Sequence, residues 1–196
     1  MNLALFDFDG TLTRHDMYTR FVIYSASPLR LVLGGIMLSP LFLLYKLKLI
    51  PARKLRPLVS YFAFAGRDKK TVAAIGRKFA GSIIQHSIRP EMLETLLNHK
   101  ANGDRVVLVS ASLDIYLRPW CESIGIGLIC SEMSVKRGQY TGRYVAGDCN
   151  SELKASLVQA SYPLDDFDEV FAYGDTNEDL AMLAIADYAY MNGVKV

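Results

Sequence analysis

The sequence predicts an α/β fold: a doubly wound, Rossmann-like parallel sheet with an inserted α-helical segment and a small β-hairpin. Three observations predict it. Short apolar runs at residues 3–6, 105–109 and 169–173 each end in acids, a hydroxyl residue or glycine; helical patterns follow the second and third; a long stretch without strand character separates the first from the second. Such a strand and helix alternation gives an open sheet that binds ligands at the carboxyl ends of its strands.

Residues 3–6 (LALF) have the form of a buried parallel strand opening into a loop at Asp7. The turn signal Asn102-Gly103-Asp104 precedes the strand at 105–109 (RVVLV), and 169–173 (EVFAY) runs into Gly174-Asp175. Helices are expected after these strands over 113–124 and 178–185. Between the first two strands, helices are predicted over 28–38, 52–64 and 68–85, with a fresh helix starting at Ser39 as N-cap and Pro40 at its first position. Alternation around Arg137-Gly138 and Thr141-Gly142 predicts a hairpin over 133–145. A helix over 149–160, capped by Asn150 or Ser151, and a strand over 186–191 complete the reading. The domain division is a core of 1–13 with 91–196, and a helical cap of 14–90.

The 196 residues fit one domain, or one core with a sizeable insertion. With 51% hydrophobic and 21% charged residues the chain buries a real core, which excludes disorder and rod-like folds. The net charge of +2 points to no nucleic-acid partner. It hides an asymmetry: residues 1–90 carry 14 basic and 4 acidic side chains, residues 91–196 carry 8 and 16. From Met17 to Gly66 there is no Asp or Glu, so that segment faces something anionic or apolar. Cys121, Cys130 and Cys149 lack disulfide or zinc spacing and read as packing residues of a reducing compartment. Without a basic n-region the N-terminus is not a secretory signal, so a cytoplasmic catalytic part is expected.

The first strand ends in Asp7-Phe8-Asp9-Gly10-Thr11, and the period of two puts the carboxylates of Asp7 and Asp9 on one side. Like charges that close call for a hard divalent cation or a raised pKa; alone, the pair reads equally well as loop acids capping a turn. Gly174-Asp175-Thr176-Asn177-Glu178-Asp179 brings Asp175 and Asp179 to the same sheet edge. Thr176 and Asn177 are by themselves helix caps. Ser110 ends the second strand, and its hydroxyl with the backbone N–H groups of the following turn, Ala111 among them, makes a phosphate cradle or a plain N-cap. Lys154 on its own is a solvated helical charge.

Taken in order, the DFDGT, the strand-end Ser110, the helical Lys154 and the GDTNED closely resemble the haloacid dehalogenase superfamily over nearly the whole chain. The long helical insertion, the VSAS and the YTG hairpin resemble its phosphoserine phosphatase-like branch. The resemblance implies that Asp7 is the nucleophile, becoming an aspartyl phosphate, and that Asp9 is general acid and base. It implies Mg2+ held by Asp7, the Asp9 backbone carbonyl and Asp175. Ser110, Ala111 and Lys154 would hold phosphate oxygens, Asp179 would orient Lys154 or a metal-bound water, and Gly10, Thr11 and Asn177 would support the loops. A phosphomonoester is the implied substrate.

The cap sets substrate choice in such enzymes. Asp16 stands nine residues past Asp7, where phosphoserine phosphatases place a Glu for the substrate amine. The Arg those enzymes carry before a Val-Ser step is Leu58 here, with Arg56 near enough to compensate. Residues 31–45 (LVLGGIMLSPLFLLY) are uncharged, bordered by Arg30, Lys46, Lys48, Arg53, Lys54 and Arg56. A spanning helix needs ~20 apolar residues, so an interfacial hairpin drawn peripherally to the anionic inner face of a membrane is the better membrane reading. The plain alternative is an apolar interior with solvated basic ends. On the membrane reading the chain looks like the lipid-phosphate members of the branch, typified by phosphatidylglycerophosphatase C. His15 beside the first motif, His86 and His99 read as ordinary surface or structural residues.

Three rivals are weaker. A signalling receiver domain places its phosphoacceptor on a mid-chain strand. A non-catalytic membrane-binding module would not fill every catalytic position. A dehalogenase would lack Asp9.

Overall fold

The computed structural model describes the backbone of residues 1–196 and the side chains of all but Ala52 and Arg53, so the part expected of Arg53 lies outside the described side chains. A six-stranded sheet has the order β3-β2-β1-β6-β7-β8, formed by β1 (Leu3–Phe6), β2 (Arg105–Leu113), β3 (Gly127–Ser131), β6 (Val170–Gly174), β7 (Tyr188–Met191) and β8 (Val194–Lys195). All neighbours are parallel except β7 and β8. A separate hairpin joins β4 (Met133–Lys136) to β5 (Gln139–Tyr144). The predicted fold class is thus the observed one.

β1 lies at the centre, between β2 and β6, and alternation sends its side chains to two cores. Leu3 and Leu5 join Val107, Val109, Val158 and Met182 on the face covered by α7 (Glu152–Ser161) and α8 (Leu180–Leu183). Ala4 and Phe6 join the larger core on the other face, with α5 (Pro90–Ala101) and α6 (Asp114–Ile124). The carboxyl ends of β1, β2 and β6 therefore open side by side.

Four helices fall between β1 and α5: α1 (Met17–Ser25), α2 (Pro28–Lys46), α3 (Ala52–Phe64) and α4 (Lys69–Phe79), the last running into a π-turn at Ala80–Ile84. The chain leaves and re-enters beside itself, with Arg14 N–H donating to Ser87 O and Arg89 N–H to Leu12 O, each at 2.9 Å or less. Phe21 anchors these helices, its ring 4.7 Å from Tyr116, 5.2 Å from Phe79 and 5.8 Å from Phe64. α4 approaches the start of α6 so closely that a Cβ on Gly76 would lie 2.2 Å from Ile115 O. The hairpin is bonded to the segment after α3: Gly66 N–H donates to Tyr140 O, Tyr140 N–H to Arg67 O and Lys69 N–H to Gly138 O.

Several expected boundaries are corrected. The new helix expected at Ser39-Pro40 does not exist, because α2 runs unbroken from Pro28 to Lys46 with Pro40 inside. Pro40 has no N–H to give Ile36 O, and the Ser39 hydroxyl donates to that carbonyl instead at 2.8 Å. α7 begins at Glu152, and neither Asn150 nor Ser151 caps it through a side chain; Ser151 is held by its own N–H donating to Glu178 O at 2.9 Å. β2 continues to Leu113, four residues past the predicted end, and the helix expected over 178–185 is a 3-10 turn followed by the short α8.

Candidate active site

Asp7 follows β1 and is tied to the sheet by its N–H, which donates to Tyr173 O at 2.9 Å. Its carboxylate is buried and meets Lys154 Nζ at 2.5 Å. Lys154 comes from the first turns of α7, itself only 2% exposed, and also donates to Asp179 Oδ1 at 2.5 Å. The other Asp179 oxygen accepts the backbone N–H groups of Asp175 and Thr176, both at 3.1 Å. Asp179 is thus fully engaged, and with the Thr176 hydroxyl it makes a capping box at the turn after β6.

Asp175 stands at the carboxyl end of β6, accepting from the Thr11 hydroxyl at 3.4 Å. Only glycine fits opposite it: a Cβ on Gly10 would lie 2.0 Å from Asp175 Oδ2, and Gly10 has φ +92°. Asp7, Asp175 and Asp179 have ligand oxygens within 4.8 Å of one another. Asp9 points to the opposite rim, where it accepts Met17 N–H at 2.5 Å and the Ser112 hydroxyl.

The electrostatics follow from burial. Burial pushes Asp7 up to about 7 against the nearby Lys154 ammonium, with Asp179 adding to the rise. Burial likewise raises Asp9 to about 7, opposed by the Ser112 hydrogen bond and reinforced by the charge of Asp16. Asp175 is raised too, by burial and then by Asp179. Lys154 goes the other way: burial would lower it, but Asp7 and Asp179 together hold it above the usual lysine range. The site is therefore an excess of carboxylates around one ammonium, the donor set a hard cation takes.

A cavity of ≈ 850 Å³ opens onto Asp7, Asp9, Ser110, Ala111, Lys154 and Asn177. The inserted helices close its outer side with Asp16, Tyr18, Tyr45, Lys48 and Arg56. Asp16 is the N-cap of α1, accepting Thr19 N–H at 3.1 Å. Arg56 bonds Glu178 at 3.0 Å and Asp148 at 3.3 Å, so its guanidinium is held as a fixed wall. His99 sits between Asp104 and Tyr173 and is structural, while His15 and His86 are exposed.

Every motif residue from the sequence reaches this cavity or the loops that shape it. Ser112 was missed, as were Tyr18, Tyr45, Lys48 and Glu178, which line the cavity without belonging to any of the roles read from the motifs. The Ser112 hydroxyl donates to Asp9, and the period of two in Val109-Ser110-Ala111-Ser112 was the signal that both serines face the same way.

The family model described as haloacid dehalogenase-like hydrolase matches residues 4–184. Protein CicA of Caulobacter vibrioides is 29% identical over 191 residues, covering 94% of this chain and 83% of that one. A probable phosphatase of Mycobacterium tuberculosis is 31% identical over 131 residues, covering 64% of this chain and 44% of that one. Among solved structures, a probable phosphoserine phosphatase from Vibrio cholerae superposes with a TM-score of 0.69 at 15% identity, covering 96% of this chain and 55% of that one, a likeness of fold.

Proposed function

Because the chain belongs to the haloacid dehalogenase-like hydrolase family, we propose that it is a phosphomonoester hydrolase working through an aspartyl phosphate on Asp7. One observation carries the reading: a buried carboxylate at a strand end, paired to a buried Lys154, faces Asp175 across a gap of less than 4.8 Å. The phosphatase name of a relative that is 31% identical supports it.

Asp7 attacks phosphorus in line, forming a P–O bond as the bond to the leaving oxygen breaks. The Asp9 carboxyl, which burial keeps protonated up to about pH 7, gives its proton to that oxygen. The carboxylate left behind takes a proton from water, whose oxygen attacks phosphorus and returns Asp7 as a free carboxylate. Lys154, the Ser110 hydroxyl and the Ala111 N–H hold the equatorial oxygens, while Asp179 fixes Lys154 and its own loop.

The donor set fits Mg2+. Asp7, the Asp9 backbone carbonyl and Asp175 would hold it, since both Asp179 oxygens already have partners and Gly10 leaves room for the Asp175 carboxylate. When bound, the cation neutralises the repulsion between nucleophile and phosphate. Residues 14–90 act as the cap that screens the site from water.

For substrate we take a membrane lipid phosphate, with phosphatidylglycerol phosphate as the type and a cytoplasmic enzyme peripheral to the inner face. Support comes from α2. Its outer face carries Leu29, Val32, Leu33, Ile36, Met37 and Leu43, each at least 49% exposed at helical spacing, with Lys46, Lys48 and Lys54 exposed at its C-terminal side. An 18-residue stretch of α2 has a mean hydropathy of 1.6 and only 11% of it is buried. An apolar stripe of that kind beside lysines suits an anionic bilayer surface. The rival reading is phosphoserine or another small soluble phosphomonoester, favoured by Asp16 lining the cavity.

Hydrolysis of an aryl phosphate should vanish in Asp7→Asn and on chelation, and beryllium fluoride should trap an adduct on Asp7. Undiminished turnover in either case overturns the mechanism. A screen of phosphatidylglycerol phosphate, phosphoserine and sugar phosphates, with vesicle co-sedimentation at low and high salt, decides the substrate. Preference for phosphoserine, or no binding to anionic vesicles at low salt, removes the lipid reading.

A further inference from the structure

Between α1, α2 and α3 lies a second cavity of ≈ 320 Å³, walled mainly by Leu31, Leu38, Val59, Phe62 and the backbone at Gly34 and Gly35. It shares Asp16, Tyr18, Tyr45 and Arg56 with the cavity over the catalytic acids, so the two adjoin along one wall. Two of the polar groups on that wall, the Tyr18 hydroxyl and the Arg56 guanidinium, already have partners. The Tyr18 hydroxyl sits between Arg56 O at 2.7 Å and Ser60 Oγ at 2.9 Å, and the Arg56 guanidinium is taken by Asp148 and Glu178. Beyond that wall, a polar group would meet the apolar side chains of Leu31, Leu38, Val59 and Phe62 and find little to bond. An apolar one would lose water-exposed area against four hydrophobic side chains.

The glycines make the same point. A glycine in mid-helix destabilises by ~1 kcal/mol relative to alanine, and packing can justify one where a neighbour crowds it. Gly35 has no such neighbour, since a Cβ built there meets nothing within 4 Å. What its missing side chain leaves is room in the cavity, whose volume lies at the low end of small-molecule sites, ~300–1,000 Å³.

The geometry points to an amphiphilic substrate: its phosphate at Asp7 and Lys154, an apolar tail in the cavity between α1, α2 and α3, and Gly35 and Val59 as the positions that set tail length. This deepens the phosphatase reading and rests on it.

Alkyl phosphates below their micelle concentrations test it. Each buried methylene is worth up to about fourfold in binding, so decyl phosphate should exceed butyl phosphate in kcat/KM by at least about thirtyfold. Gly35→Phe fills the cavity from a helix position that gains propensity, and Val59→Trp fills it from the facing helix. Either should lower the decyl-to-butyl ratio at least about tenfold while leaving butyl phosphate within about twofold. A flat wild-type chain-length profile, or equal losses on both substrates in both variants, overturns the proposal. Calorimetric binding of decylphosphonate and butylphosphonate gives a readout without turnover. Chain-length-dependent binding that Gly35→Phe abolishes, in a protein that hydrolyses no alkyl phosphate, upholds the cavity and sinks the phosphatase reading. Hydrolysis of butyl phosphate with no chain-length effect does the reverse.

Discussion

Removing the charge of Lys154 tests the electrostatics of the site. In Lys154→Met the ammonium that touches Asp7 and Asp179 at 2.5 Å is replaced by an apolar chain of similar length. A unit pair ~3 Å apart at an effective dielectric of ~20 is worth about 5 kcal/mol before desolvation. Losing the ammonium also removes the cost of burying it, which offsets part of that, and breaking a buried pair costs ~3–5 kcal/mol net. At pH 8 and without metal, urea unfolding should show a loss of about that size. At pH 5 the loss should shrink to about 1–2 kcal/mol, because Asp7, pushed up to about 7 by burial even beside Lys154, is then neutral. Saturating Mg2+ should restore part of the deficit at pH 8 by supplying positive charge to the same carboxylates. Aryl phosphate turnover should fall by about 10²–10³. A destabilisation that ignores both pH and Mg2+ would mean the pair is only packing, and the charge reasoning fails.

Other outcomes follow from the same geometry. Asp7 and Asp9 have folded-state values raised to about 7, so the stability they lend is present below pH ~4 and lost as pH rises through 7; metal-free urea midpoints should fall between pH 4 and 8, and Mg2+ should flatten the fall. Ser112→Ala removes a hydrogen bond that lowers Asp9, so the descending limb of the pH–rate profile for single turnovers should move upward from about 7 while kcat/KM drops about tenfold. Gly10→Ala places a methyl 2.0 Å from Asp175 Oδ2 at φ +92°, and should cost about 1–3 kcal/mol and weaken Mg2+ binding measured by calorimetry. Asp114, raised to about 6 by burial, accepts Met133 N–H at 2.9 Å; Asp114→Asn keeps an acceptor there and should stabilise the protein above pH 6, by up to about 3 kcal/mol in urea unfolding.

Much of the site was legible because strand ends carry their own punctuation. β1, β2 and β6 are apolar runs broken by Asp7, Ser110 and Gly174, and the parallel register then brings those breaks together. What stayed hidden depends on contacts that no local pattern encodes. The helix through Pro40 survives on a hydroxyl from Ser39, a substitution of one donor for another that reads in sequence as a break. β3, with the sequence GLICS, was not anticipated, since its glycine and cysteine carry little strand character and it is fixed by pairing to β2. Ser151 takes φ 46° because its N–H reaches Glu178 O, a contact set by the sheet and not by capping preference. The exposure of α2 was equally invisible: an apolar run is the same string whether it faces a core or solvent.

The three main-chain bonds from residues 66–69 to Tyr140 and Gly138 have a consequence for traffic through the enzyme. They moor the hairpin to the helices, so any swing of those helices away from the sheet must carry β4 and β5 along or sever the moorings. On the flank where Lys48, Ile50 and Pro51 edge the cavity, the tie to the core is by side chains instead, the Arg56 guanidinium on Glu178 and Asp148. A swing on that side has only those ion pairs to break, so a crosslink thrown across it should slow the exchange of whatever the cavity holds.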